Sequence, residues 1–250
     1  MGFCEDYCFN LTQQNNTMRK ICCLFSLLYL ATFSSTAQNS KRIVVEPGYK
    51  ITDVLSLKEI YSYPEFTKGK ILLRDGTLYE AKLNYNLLLA QVQFINTKGD
   101  TLVIADEATI RKVSIGNDEF FYDKQYVHLL NDYGTIKVAV QRKFSMADNQ
   151  VTGAFGQPVS GAGVQAVNSV IAQRQLHNLT VSERVILSKD ERFFLGDQNN
   201  HFETFNRRNV LKAFSNHQTQ IEAYLKENRV NFNTLSDLVK LANYLRGLQA

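Results

Sequence analysis

The stretch "EFTKGKILLRDGTLYEAKLNYNLLLAQVQFINTKGD", residues 65–100, decides the fold. In it Tyr79, Ala81 and Leu83 alternate with Glu80, Lys82 and Asn84, and Ala90, Val92 and Phe94 alternate with Gln91 and Gln93. A period of two puts apolar and polar side chains on opposite faces of a β-sheet. Asp75-Gly76 follows "KILLR" and Lys98-Gly99-Asp100 follows "VQFIN". Glycine at such points accepts the positive φ of a tight turn, so these runs read as hairpins.

Outward from this block the pattern continues. Gly116-Asn117-Asp118 follows "RKVSI", short strands are expected over 119–122 and 126–130, and Asp132-Tyr133-Gly134 closes the second. Ile136, Val138 and Val140 then alternate with Lys137 and Gln141. Strands in such close succession predict an antiparallel meander. Residues 38–49, with a Pro47-Gly48 turn, read as an irregular lead or an edge strand.

The character changes over 145–168, where Gly, Ala, Ser, Asn and Gln predominate and a loop or partly disordered insertion is expected. Gly161-Ala162-Gly163 followed by Ala166 mimics a nucleotide-binding glycine pattern but lacks the strand that would precede it. Residues 181–187 and 192–195 read as two strands joined by a turn at 188–191.

Beyond residue 203 the period becomes helical. Asn206 is placed to cap a helix carrying Val210, Leu211 and Phe214, and Ser215 with Gln218 to form a capping box for a second carrying Ile221, Tyr224 and Leu225. A third begins at Thr234 and Asp237, with Leu235, Leu238, Val239, Ala242 and Leu245 on one stripe. The fold class is therefore α+β and mostly β: an antiparallel meander forming a sandwich or small open barrel, followed by a C-terminal bundle of short helices.

The N-terminal region carries a different kind of information. Arg19 and Lys20 precede the apolar run "ICCLFSLLYLATF", residues 21–33, and the small residues Ser35-Thr36-Ala37 follow it. Basic, apolar and small-residue regions in this order predict a secretory signal peptide over 1–37, cut between Ala37 and Gln38; an uncleaved N-terminal anchor is the alternative. Met18 is a possible true start, with 1–17 an upstream artefact. Cys4, Cys8, Cys22 and Cys23 are the four cysteines, and all precede the expected cut. The mature chain would thus lack a disulfide framework, a thiolate metal site and a cysteine nucleophile. The resulting organisation is a leader over 1–37, a β domain over 38–144, a linker or insertion over 145–180, and a β-hairpin with helices over 181–250.

Of 250 residues, 44% are hydrophobic and 21% charged, values of a folded globular chain. The net charge of +4 is spread without a Lys/Arg block, so no nucleic-acid partner is implied. Among candidate sites, the densest polar cluster is Asp190, Glu191, Asp197, Asn199, Asn200 and His201. Its weak binding character rests on oxygen-rich side chains around an expected turn, yet it lacks the glycine and glutamate of a helix-loop-helix calcium site. No metal or other cofactor is expected. His128, His177, His201 and His217 contain no pair at the spacing of a zinc protease, and no serine lies in a G-x-S-x-G elbow, so no catalytic residue is assigned. Paired carboxylates assembled from distant strands stay open. The aromatic groups Tyr61, Tyr63 and Phe66, and Phe120, Phe121 and Tyr122, read as core and cross-strand packing, with a stacking surface as the alternative.

The block "EFTKGKILLRDGTLYEAKLNYNLLLAQVQFINTKGDTLVIADEATI" and the ending "LSKDERFFLGDQNNHFETFNRRNVLKAFSNHQTQIEAYLKENRVNF" together resemble uncharacterised exported proteins of Bacteroidota. The resemblance implies a periplasmic or outer-membrane-associated setting and transfers no catalytic motif. The expected function is a non-enzymatic binding or scaffold protein of the cell envelope, docking on another envelope protein and touching membrane only through that partner or an uncleaved leader. The alternative is an envelope hydrolase of glycan or peptide with a carboxylate-based site.

Overall fold

A computed structural model describes residues 42–147, 150–152, 158–160, 180–181 and 184–248, which fall within one compact unit, Ser40–Ala250. The expected leader with its cysteines, the expected junction at Ala37 and Gln38, the glycine pattern at 161–166 and His177 lie outside the described residues.

The chain opens with a short edge strand, β1 (Arg42–Val45), and two single-turn helices, α1 (Ile51–Val54) and α2 (Leu57–Ile60), which the sequence pattern did not disclose. The meander follows as β2 (Thr67–Leu73), β3 (Leu78–Asn86), β4 (Gln91–Ile95), β5 (Thr101–Val103), β6 (Ile110–Ile115), β7 (Asp118–Tyr122), β8 (Tyr126–Asp132) and β9 (Ile136–Ala147). Gly76 and Gly99 turn their hairpins at φ of +91° and +90°, the conformation that made glycine the expected residue there. A small pair, β10 (Gln150–Thr152) with β11 (Pro158–Ser160), stands apart from the main sheet. Then come β12 (Val185–Asp197), β13 (Phe202–Thr204), α3 (Arg207–Ala213), α4 (Gln218–Glu227) and α5 (Leu235–Gly247).

Every pairing in the main sheet is antiparallel, and its order is β1-β12-β9-β8-β7-β6-β2-β3-β4-β5, with β13 added to β12. The sheet stays open but curls, so that the Phe144 amide of β9 donates to the Leu87 carbonyl beyond β3 at 2.9 Å. The expected mostly β, antiparallel fold with short C-terminal helices is thus the one observed.

Three local expectations are corrected. The two strands expected around a turn at 188–191 are one continuous strand, because β12 pairs with β9 without interruption from Ile186↔Ala147 to Asp197↔Ile136. Four successive charged residues, Lys189 to Arg192, mimic a turn but find cross-strand partners instead. The insertion expected from 145 begins later, since residues 145–147 finish β9, and 150–152 pair with 158–160. The capping box at Ser215 is absent: Ser215–His217 is a 3-10 turn and α4 starts at Gln218. Asn206 does cap α3, accepting from the Asn209 amide at 2.9 Å.

Three cores result. Inside the curl, Leu83, Ile110, Val113, Ile115, Phe120 and Tyr126 are buried together. At the other end of β9 and β12, Val138, Val140 and Phe193 pack with α3 to α5, whose Val210, Ile221, Leu238, Leu241 and Leu245 are fully buried. Each such side chain contributes about 1.5–3 kcal/mol of hydrophobic stabilisation, so α5 docks on the protein's own sheet. Phe121, Val127, Ala139, Phe194 and Phe202 form the third. Gly196 is needed there, because a Cβ would lie 2.5 Å from the Phe202 ring.

Candidate functional site

Between the curl's core and the helical core a cleft of about 410 Å³ opens. Its floor is a polar row crossing four neighbouring strands. Register puts Phe120, His128, Val140 and Phe193 in line across β7, β8, β9 and β12, and the polar row runs beside that line.

The row begins with Tyr63, whose position is fixed by the buried Asn84. The Asn84 side chain accepts from the Tyr63 amide at 3.2 Å and donates to the Tyr63 carbonyl at 2.9 Å. The Tyr63 hydroxyl then donates to Asp118 Oδ2 at 2.6 Å. Asp118 Oδ1 lies 3.3 Å from His128 Nε2, Arg142 Nη1 lies 3.2 Å from His128 Nδ1, and Arg142 Nε donates to Glu191 Oε1 at 2.6 Å. A guanidinium can only donate, so His128 Nδ1 accepts and Nε2 carries the proton toward Asp118.

Burial, together with the Arg142 charge, holds the His128 pKa below the ordinary imidazole value, and the Asp118 carboxylate opposes the shift in part. Burial raises the Tyr63 phenol, and the bond and charge of Asp118 raise it further. Burial likewise raises Tyr85, which stacks on Phe120 at 5.3 Å, while Phe120 stacks on His128 at 4.8 Å. The imidazole is therefore neutral near pH 7, stacked on Phe120 and engaged at both nitrogens.

Two of the expected site residues, Asp190 and Glu191, line this cleft. The others lie elsewhere. Asp197 closes the β12–β13 hairpin, its Oδ1 accepting from the Asn199 and His201 amides at 2.8 and 2.9 Å, and Asn200 takes a left-handed φ of +63°. Asn199, Asn200 and His201 border a separate hollow with Arg74, Arg111 and Asp123. Glu191 and Asp197 lie six positions apart along β12, about 20 Å of extended chain, so the cluster read from the sequence is two places. Among the described residues no group of three or more His, Cys, Asp or Glu could hold a metal ion, and no helix is long and apolar enough to cross a membrane.

The aromatic groups mainly pack, as in the edge-on pairs Tyr61 with Phe66 at 5.2 Å and Tyr122 with Tyr126 at 5.1 Å. Tyr61, Tyr63 and Phe120 nonetheless also wall the cleft. Asp118 and Arg142 escaped the sequence reading because their partnership depends on register. The pairing sets Phe120 and Val140 opposite His128, with Asp118 and Arg142 two residues along their strands, and an irregularity between Leu129 and Asn131 shifts that register away from what the turn at Gly134 alone would give.

Comparison with protein-family models, with curated proteins and with solved structures finds no match to this chain.

Proposed function

We propose that this chain is a non-enzymatic binding protein of the bacterial cell envelope, exported by its leader, whose cleft receives a polar segment of another envelope protein. The observation that carries the reading is the closure of the polar row on itself. A general base needs a free lone pair within reach of the proton it removes. His128 has both nitrogens engaged and so offers no free lone pair, Asp118 has one oxygen on Tyr63 and the other beside His128, and Glu191 has one oxygen held by Arg142. Such a row presents fixed donors, acceptors and aromatic walls, which suits recognition. The leader-like residues 1–37 and the resemblance to exported proteins support the envelope setting.

A photocrosslinking residue in place of Ser62, at the exposed rim of the cleft, should join one discrete envelope protein in the producing cell, whereas the same residue at Leu102 on the far edge strand should not. Equal yields from both positions would remove the reading.

One observation favours the hydrolase as a second reading: Asp118, Asp190 and Glu191 arrive in one cleft from β7 and β12. Turnover of a chromogenic glycoside or peptide that disappears in Asp118→Asn would replace the first reading by this one.

A further inference from the structure

β8 pairs with β9 from Asp132↔Lys137 to His128↔Val140, but β9 continues to Ala147. The space beside its last residues is bordered by the β3–β4 turn, the 3-10 turn Glu107–Thr109 and the β7–β8 turn, and it encloses about 470 Å³. This cavity shares Lys143 with the cleft and is otherwise lined by different residues.

Its lining is unusual for a protein interior. Gln91 and Gln141, 7% and 4% exposed, each have a buried amide oxygen with no hydrogen-bond partner among the described residues. Leaving such a group unpaired costs about 1–3 kcal/mol, and native interiors contain few. The buried carboxylate of Glu107 lines the same space. Backbone strain collects here too. Ala90 and Lys124 adopt φ of +52° and +64°, a region that L residues other than Gly, Asn and Asp seldom occupy, and both border the cavity. Unpaired polar groups and strained backbone persist only where the surrounding structure holds them, and they cluster at binding and active sites.

The chemistry of the walls narrows the ligand. Lys124 and Lys143 oppose a cation, and Glu107 opposes an anion. Acceptors from the two amides mix with donors from the lysines, beside the faces of Tyr122 and Phe144. A hydroxyl group both donates and accepts, and a ring bearing several hydroxyls on an apolar face matches mixed walls with aromatic sides. The last torsion of a glutamine is broad and roughly two-fold, and a half-turn exchanges its amide oxygen and nitrogen, bringing the oxygen toward such a partner.

We infer that this cavity is a saccharide-binding site, taking a neutral mono- or disaccharide whose hydroxyls pair with Gln91 and Gln141. The site stands apart from the partner cleft and does not depend on it.

The test is calorimetric titration of the full chain with glucose, galactose, N-acetylglucosamine, maltose and chitobiose, with glycine, glutamine and lysine in parallel, and amide NMR to locate the response. At least one saccharide should bind and shift the amides of Ala90, Lys124 and Gln141. Gln141→Leu should weaken that binding by tenfold or more and raise the ligand-free Tm by about 2–4 °C, since it removes an unpaired buried amide. Lys124→Gly relieves the strained φ on the surface and should weaken binding severalfold while the fold persists. Binding of no saccharide, binding of an amino acid alone, shifts confined to other residues, unchanged affinity in the Lys124 variant, or a lower ligand-free Tm in the Gln141 variant each overturns the assignment.

Discussion

Arg142 and Glu191 face each other across the β9–β12 ladder, Nε to Oε1 at 2.6 Å, and the same guanidinium reaches His128 Nδ1 at 3.2 Å. One arginine thus ties the strand that leads to the helical core to the half-buried imidazole two strands away. The two halves of this arrangement differ in energetic weight. Both ionic side chains are 40% exposed, so their attraction is screened and worth about 0.2–1 kcal/mol. Glu191→Gln should therefore lower the urea midpoint only slightly.

The imidazole is the sensitive reporter. Arg142 lowers the His128 pKa and Asp118 raises it. Arg142→Met should move the His128 titration upward, and Asp118→Asn should move it further down, both read from the imidazole carbon-bound proton by NMR. Shifts of the same sign in the two variants would contradict the geometry.

Stability should follow the same group. A histidine whose folded-state pKa lies below its unfolded value of 6.5 is protonated first in the unfolded chain. Its contribution is complete above that pH and is lost as pH falls through 6.5 toward the folded-state value. Chemical denaturation at pH 7.5 and pH 5.5 should show the protein less stable at the lower pH, and His128→Phe should flatten that difference.

How far the sequence disclosed all this depends on which force set each element. β3 and β9 were legible because apolar and polar residues alternate along them, although both faces of β9 are buried from Ile136 to Gln141, where Lys137 and Gln141 are 6% and 4% exposed. β12 was not, because its middle passes between two cores: Phe193 and Leu195 serve one, Val185 and Leu187 the other, and Lys189 to Arg192 cross the gap. There the strand is held by its ladder with β9, which leaves no hydrophobic pattern. The cleft shared that obscurity. Its residues come from positions 63, 118, 128, 142 and 191; of these Glu191 stood out in the sequence only as part of a different cluster, and strand order is what joins them.

Asn84 offers a test of how Tyr63 is positioned. It is 1% exposed and engages the Tyr63 amide and carbonyl and the Tyr85 amide. Asn84→Ala leaves those backbone groups short of partners in a buried setting, so a loss of about 2–3 kcal/mol is expected in urea denaturation. The variant should also free the Tyr63 hydroxyl from Asp118, and the His128 titration should change with it. Asn86→Ala would disturb the neighbouring turn, where its side chain accepts from the Leu88 and Leu89 amides, without that change.

Two glycines separate backbone crowding from side-chain crowding. At Gly69, which pairs with Ala81 on β3 and Ile115 on β6, an added Cβ would collide with the Ser114 carbonyl oxygen as well as the Leu83 side chain. At Gly196 it would meet the Phe202 ring at 2.5 Å and the Lys137 Cβ at 3.1 Å. A ring can tilt, whereas a carbonyl fixed in a ladder between β2 and β6 moves only if the strands part. Overpacking costs typically about 1–3 kcal/mol, so Gly196→Ala should fall in that range and Gly69→Ala at or above its top. Thermal denaturation of both variants checks the order. A Gly196 variant less stable than the Gly69 variant would mean that the Phe202 ring is held more rigidly than the β2–β6 ladder.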